Sequence, residues 1–255
     1  MSKKTNWAAI FAIIVGLVLV VVKDYKSDLR SADKERTKTV NQIFVRGKNA
    51  YDRNDYNVAI EQFSLALELE PNNAFAYARR GVAYARQEDY DKAIIDLDKA
   101  IKLEPNNAFS YVMRGTIYAE LGDHKEAIVD CGQALKLDPN GKLAFFAYNC
   151  RGYAYVKLGD YSQAVIDFDR SLKLDPNFAH SYHSRGEAYA GLSKHNQAIA
   201  DFDKAIDIFN SATSIDREAL ALAYCDRGKV YESLGDLKRS NADIKKAQEI
   251  GKCEL

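Results

Sequence analysis

The apolar positions of this 255-residue chain fall into two patterns. The first is a solid run. Trp7 to Val22 are sixteen consecutive apolar residues, counting Gly16, with Lys3 and Lys4 before them and Lys23 after. The second begins at Val40 and is periodic: aromatic and aliphatic residues recur at spacings of three, four and seven, which places them on one face of a helix.

The periodic part also repeats. Arg-Gly occurs at 46–47, 80–81, 114–115, 151–152, 185–186 and 227–228, and successive glycines lie 34, 34, 37, 34 and 42 residues apart. Pro71, Pro105, Pro139 and Pro176 each follow a glycine by 24 residues. Tyr77, Tyr111, Tyr148, Tyr182 and Tyr224 stand four residues before a glycine, and Tyr84, Tyr118, Tyr155, Tyr189 and Tyr231 stand three after one. Later in each unit come Ala59, Ala93, Ala127, Ala164 and Ala198, followed by Phe63, Leu97, Cys131, Phe168 and Phe202. Ala66, Ala100, Ala134, Ser171 and Ala205 close the pattern. Each unit therefore predicts two helices joined by a short turn, as at Gly122-Asp123, Gly159-Asp160 and Gly235-Asp236, with proline stopping the second helix. Small residues at fixed positions let the helices approach closely while the large ones fill the gaps. A constant period of this length is the signature of a solenoid.

Taken together, these columns resemble the tetratricopeptide repeat. The resemblance covers residues 40–254 as six units, 40–73, 74–107, 108–141, 145–178, 179–212 and 221–254. It implies an all-α fold in which six antiparallel helix pairs stack into a right-handed superhelical solenoid with a concave groove. Extra residues at Lys142–Ala144 and Thr213–Leu220 separate units. Thr213-Ser214-Ile215-Asp216 resembles a capping box, so the last unit's first helix is expected to start early and be longer.

The N-terminal run changes the picture of where such a solenoid sits. A cleavable signal needs small residues just beyond the apolar stretch, and here the chain continues Val20-Val21-Val22-Lys23-Asp24-Tyr25-Lys26. Residues 1–22 are therefore expected to be an uncleaved transmembrane anchor, slightly short of the ~20 residues of a full span but extended by snorkelling lysines. Residues 23–39 form a charged, helical spacer. Lys23, Lys26, Arg30, Lys34, Arg36 and Lys38 outnumber the positive groups before the run, which favours a cytoplasmic repeat domain. The opposite orientation stays open.

Composition removes other classes. With 36 basic and 36 acidic side chains the net charge is zero, which argues against nucleic acid as a partner. Cys131, Cys150, Cys225 and Cys253 form no C-x-x-C pair, so zinc is not expected and the thiols are read as reduced. There is no nucleophile elbow, phosphate loop, paired catalytic carboxylate set or H-E-x-x-H, so neither an enzyme nor a cofactor is expected.

A protein or peptide partner is the remaining expectation, its identity and the oligomeric state left open. In tetratricopeptide proteins the first helix of each unit lines the groove. Carried onto this chain, the resemblance gives Phe44, Tyr51, Phe75, Val82, Phe109, Val112, Phe146 and Tyr153, with His180, His183 and Glu187 toward the C-terminal end. The phenylalanines would form an apolar stripe for a peptide with hydrophobic anchors, unless some of them pack between units. The Lys, Asn and Arg set with which chaperone-binding members hold a C-terminal carboxylate is absent. His180, His183 and Glu187 share a helix face; a polar groove patch is the expected reading and a metal-dependent activity the weaker one. Arg before each glycine and Asp96, Asp130, Asp167, Asp201 and Asp243, fifteen residues after, are expected to pair between helices or units. The functional expectation is a membrane-anchored scaffold or adaptor that assembles a complex by holding a protein segment. The alternative is an envelope assembly or secretion factor with its repeats outside the cytoplasm.

Overall fold

The computed structural model describes residues 33–212, 216–251 and 253. The anchor expected at 7–22 lies outside them. No helix of the described residues is long and apolar enough to cross a membrane.

The described residues form twelve helices in six pairs, joined by short turns. The pairs are α1 (33–52) with α2 (Tyr56–Leu69), α3 (Ala74–Ala85) with α4 (Tyr90–Leu103), and α5 (Ala108–Leu121) with α6 (His124–Leu137). They continue with α7 (Ala144–Lys157) and α8 (Tyr161–Leu174), α9 (Ala179–Gly191) and α10 (His195–Ser211), and α11 (Arg217–Ser233) and α12 (Leu237–Ile250). Because α1 already runs at 33, the later part of the expected spacer is continuous with the first repeat helix.

Local chemistry sets these boundaries. The carboxylates of Asp55, Asp89, Asp160 and Asp236 accept the N–H groups of Val58, Lys92, Gln163 and Arg239, capping four of the second helices. Asn73 caps α3 in the same way. The turn inside each pair needs one residue in the left-handed region, supplied by Asn54, Glu88, Gly122, Gly159, Ser193 and Gly235. α11, at seventeen residues, is longer than α3, α5, α7 and α9, and its cap is Asp216, which accepts from Ala219. Thr213, Ser214 and Ile215 lie outside the described residues.

Within a pair, the Arg-Gly glycine is the point of closest approach. A Cβ on Gly47, Gly152 or Gly186 would come within 2.8, 2.8 and 2.7 Å of the rings of Phe63, Phe168 and Phe202. Those rings are almost wholly buried, each under the glycine of its own unit. On Gly115 a Cβ would meet Cys131 Sγ at 2.7 Å, so sulfur takes the place of the ring there.

The arginine beside the glycine then ties the pair together. Arg80, Arg114, Arg151, Arg185 and Arg227 each donate from Nε and Nη2 to the two oxygens of Asp96, Asp130, Asp167, Asp201 and Asp243, at 2.7–2.9 Å. The remaining nitrogen, Nη1, reaches back to the previous unit. Arg80 donates to Ser64 (3.0 Å), Arg185 to Asp169 (2.6 Å), Arg114 to Asp98 and Arg227 to Asp203. The pairing expected from sequence is thus made both within and between units. Burial alone would push Asp201 up, and it stays raised even with Arg185 beside it, so desolvation is a real cost here. These contacts specify register as well as adding stability.

One junction departs from the rule. Gly132 stands where Asp98 and Asp169 stand in other units, and Arg151 Nη1 has no acid there; the nearest atom to a Cβ on Gly132 would be that nitrogen, at 3.6 Å. The same junction carries a disulfide between Cys131 on α6 and Cys150 on α7, and a second joins Cys225 on α11 to Cys253. No described cysteine is free. This corrects the expectation of reduced thiols. The separation of 19 residues arises because stacking places α6 of one unit against α7 of the next; the separation of 28 is a closure within the last unit, from α11 to the residue beyond α12.

Gly132→Asp should therefore stabilise the protein by about 0.5–1 kcal/mol, through helix propensity and a new pair with Arg151. Thermal melting reads this, and the ion-pair part of the gain should vanish in an Arg151→Gln background. Asp130→Ala should instead cost about 3 kcal/mol by stranding Arg114; a cost below about 1 kcal/mol would contradict the role given to the ladder.

Candidate functional site

Consecutive first helices touch each other: α3 meets α5, α5 meets α7, α7 meets α9 and α9 meets α11, with no comparable contact between successive second helices. In a curved stack the helices that crowd together lie on the inner side, so the first helices line the concave face. Three positions per first helix point onto it, six and two residues before the glycine and one after, a helical 4-then-3 spacing. On α3 these are Phe75, Arg79 and Val82; on α5, Phe109, Met113 and Thr116; on α7, Phe146, Cys150 and Tyr153; on α9, His180, Ser184 and Glu187.

At the N-terminal end the face deepens into a cavity of about 340 Å³ walled by α1, α3 and α5, with the ring of Phe63 below. Phe44, Tyr51, Phe75, Val82 and Phe109 all line it, so the structure brings five of the residues expected from sequence to one place. Phe75 is 45% exposed and Val45 58%. The ring of Phe75 lies 5.2 Å from that of Phe44, centroid to centroid.

Besides the ion pair of Lys48 and Asp52, the cavity holds three residues not expected in the groove from sequence, Val45, Arg79 and Met113. All three belong to the column two before the glycine, one turn beyond the phenylalanine column, and extending that column by four residues would have found them. Arg79 is the most informative. Its guanidinium sits 4.8 Å from the centroid of Phe75 and 4.8 Å from that of Phe109. Burial lowers its pKa, partly offset by Tyr51 and Asp52. Burial likewise raises that of Tyr51, opposed by Arg86 and Arg79. Lys48 at the rim is paired with Asp52 one turn along α1.

Val112 does not belong to this face. It is 1% exposed and packs with Ala134, Leu135, Ala144 and Ala147 between units 3 and 4. Ala78 and Cys225 in the same column, three before the glycine, are buried too, whereas Phe44 at that position in the first unit lines the cavity. The resemblance-based assignment is corrected there.

Phe146 and His180 sit farther along, in a second aromatic row. Phe145 and Phe146 meet Phe178 at 5.0 and 6.2 Å, Phe178 meets His180 at 5.5 Å, and His180 meets Phe209 at 5.3 Å. Tyr153 lies under the Lys157 ammonium at 4.9 Å, and Lys157 reaches Glu187 at 3.8 Å. His183 Nε2 is 2.9 Å from Asp226, and His180 Nε2 is 3.7 Å from Asp216. The C-terminal half of the face is thus a network of internally paired charges. Among the described residues no group of three or more His, Cys, Asp or Glu side chains is arranged to hold a metal.

Models of the tetratricopeptide repeat match residues 74–107, 108–140, 145–178 and 177–252, and a further repeat model matches 47–88. No curated protein matches. Among solved structures, the chain is similar to PilW, described as a widely conserved type IV pilus biogenesis factor, at 20% identity and a TM-score of 0.73 over 83% of this chain and 93% of that one. It is similar to PilF of Pseudomonas aeruginosa at 16% identity and 0.71, over 84% and 93%. It is also similar to YrrB, described as a TPR protein with an unusual peptide-binding site, at 25% identity and 0.54, over 74% and 95%.

Burial holds the pKa of His180 below the ordinary histidine value against the pull of Asp216, with His183 also lowering it. A depressed folded-state pKa means stability is lost as the pH falls through the ordinary histidine range. Between about pH 7.5 and about pH 5.5 the melting temperature should fall less steeply in His180→Asn than in the parent. Equal slopes would contradict this environment.

Proposed function

The chain belongs to the tetratricopeptide-repeat family, and we propose that it is a membrane-anchored adaptor that binds a protein segment on its concave face and mediates assembly of a complex. The observation that carries this is the cavity on the first three units. Apolar side chains there stand open to solvent although deeper cores were within reach of the same helices, and exposed aromatics gathered in a concavity are the usual mark of a binding surface. The similarity to YrrB, with its peptide-binding site, points the same way. Residues 7–22 would hold the adaptor at a membrane, raising the local concentration of whatever it binds without any chemistry.

A second reading, envelope assembly or secretion with the repeats outside the cytoplasm, is favoured by the two disulfides, since such bonds persist in oxidising compartments. It differs only in orientation. Protease digestion of sealed membrane vesicles separates the two sides, and the alkylation state of the four cysteines in freshly opened cells provides an independent check. Oxidised cysteines in a protected domain would place the repeats outside the cytoplasm; alkylated cysteines in an accessible one would place them inside.

The groove is tested by replacing Phe75 and Phe109 together with Ser in the full chain. Partner capture from native membranes should fall at least tenfold while the melting temperature drops by only a few degrees, because Phe75 is half exposed. Capture that survives the double change would remove the groove from the account.

A further inference from the structure

Five arginines of the first helices, at 80, 114, 151, 185 and 227, have carboxylate partners at 2.7–2.9 Å. Arg79 is different. Among the described residues it makes no ion pair and no side-chain hydrogen bond; two phenylalanine faces hold it instead, one from its own helix and one from the next unit. The flanking rings fix the guanidinium plane but satisfy none of its five N–H donors. The other charges in the cavity, Lys48 and Asp52, cancel each other. What is left is one exposed positive charge with no hydrogen-bonded acceptor among the described residues, at a cavity whose other walls are mainly apolar.

Resting on the groove reading above, we propose that Arg79 is the anchor for an acidic side chain, Asp or Glu, of a partner segment that places apolar residues on both sides of it. A carboxylate accepts two parallel N–H groups of a guanidinium, and the apolar walls strengthen that pair by excluding water. The cavity continues past Arg79 in both directions along the stack. Phe44 and Val45 lie on one side and Met113 on the other. A segment that fills both sides passes through the site, so the carboxylate belongs to a side chain and not to a chain end.

The test uses the full chain and nonapeptides with randomised flanks: two pools with blocked termini, one with Glu fixed at the centre and one with Gln, and the Gln pool again with a free C-terminal carboxylate. Glu-centred peptides should be retained about tenfold better than their Gln counterparts, and the best of them should carry Phe, Leu or Met on both sides of the acid. In Arg79→Gln the preference should vanish while the melting temperature moves by only a few degrees, since Arg79 makes no ion pair and the variant loses only its two ring contacts. Arg79→Lys should keep part of it. Equal retention of Glu and Gln peptides would overturn the anchor and leave the groove standing. Retention of free-acid Gln peptides alone would mean a chain-end site and would also overturn it. If neither pool is retained in any form, groove and anchor fall together.

Discussion

The solenoid depends on one recurring contact: an arginine and a glycine side by side on each first helix, facing, in five of the six pairs, an aspartate on the second. The glycine lets the two helices close until a phenylalanine ring, the sulfur of Cys131, or the side chain of Leu97 or Ile244 crowds the place of a Cβ. The arginine spans the gap and bonds the buried aspartate through two nitrogens. With the third, Arg114, Arg185 and Arg227 reach an acid on the preceding unit and Arg80 reaches Ser64. A single side chain therefore sets the spacing inside a pair and the step to the next pair. A buried ion pair is weak as a source of net stability, because desolvation offsets much of its attraction. Its effect is on uniqueness: a slipped register would strand several charges at once.

This arrangement leaves the concave face to other residues. With the arginine and tyrosine columns occupied in packing, the positions six and two before the glycine and one after differ from unit to unit, although Cys150 is drawn into a disulfide and Ser184 is buried. Along the stack they change from aromatic and basic at α1, α3 and α5 to internally paired acids, histidines and lysines at α9 and α11. The apolar, unpaired end is where a partner gains most from docking, since no existing charge pair must be broken there.

Much of this was readable in the sequence. The six units, their helix pairs and the structural role of the Arg and Asp columns follow from a period that recurs in several columns at once. The groove was readable in part. Phe44, Tyr51, Phe75, Val82 and Phe109 meet in one cavity, although only Phe75 and Phe109 share a column. Val112 was misplaced because an aliphatic residue has the same signature whether it faces a groove or the next unit, and only the stacking direction decides. Arg79 was missed because a lone arginine beside the ladder arginine Arg80 has no distinguishing neighbour in sequence; its two phenylalanines come from different units. The disulfides were missed for the same reason, since Cys131 and Cys150 meet only across a junction between units.

The central claim is that recognition occurs on the faces of the first helices. Photo-crosslinking from single positions in native membranes tests it most directly. A crosslinking amino acid at Met113, in the cavity, is compared with one at Ile95 or Val129, which are 66% and 69% exposed on second helices. The account predicts a discrete adduct from position 113 and none from 95 or 129. Adducts from the second-helix positions alone would contradict it and move recognition to the opposite face.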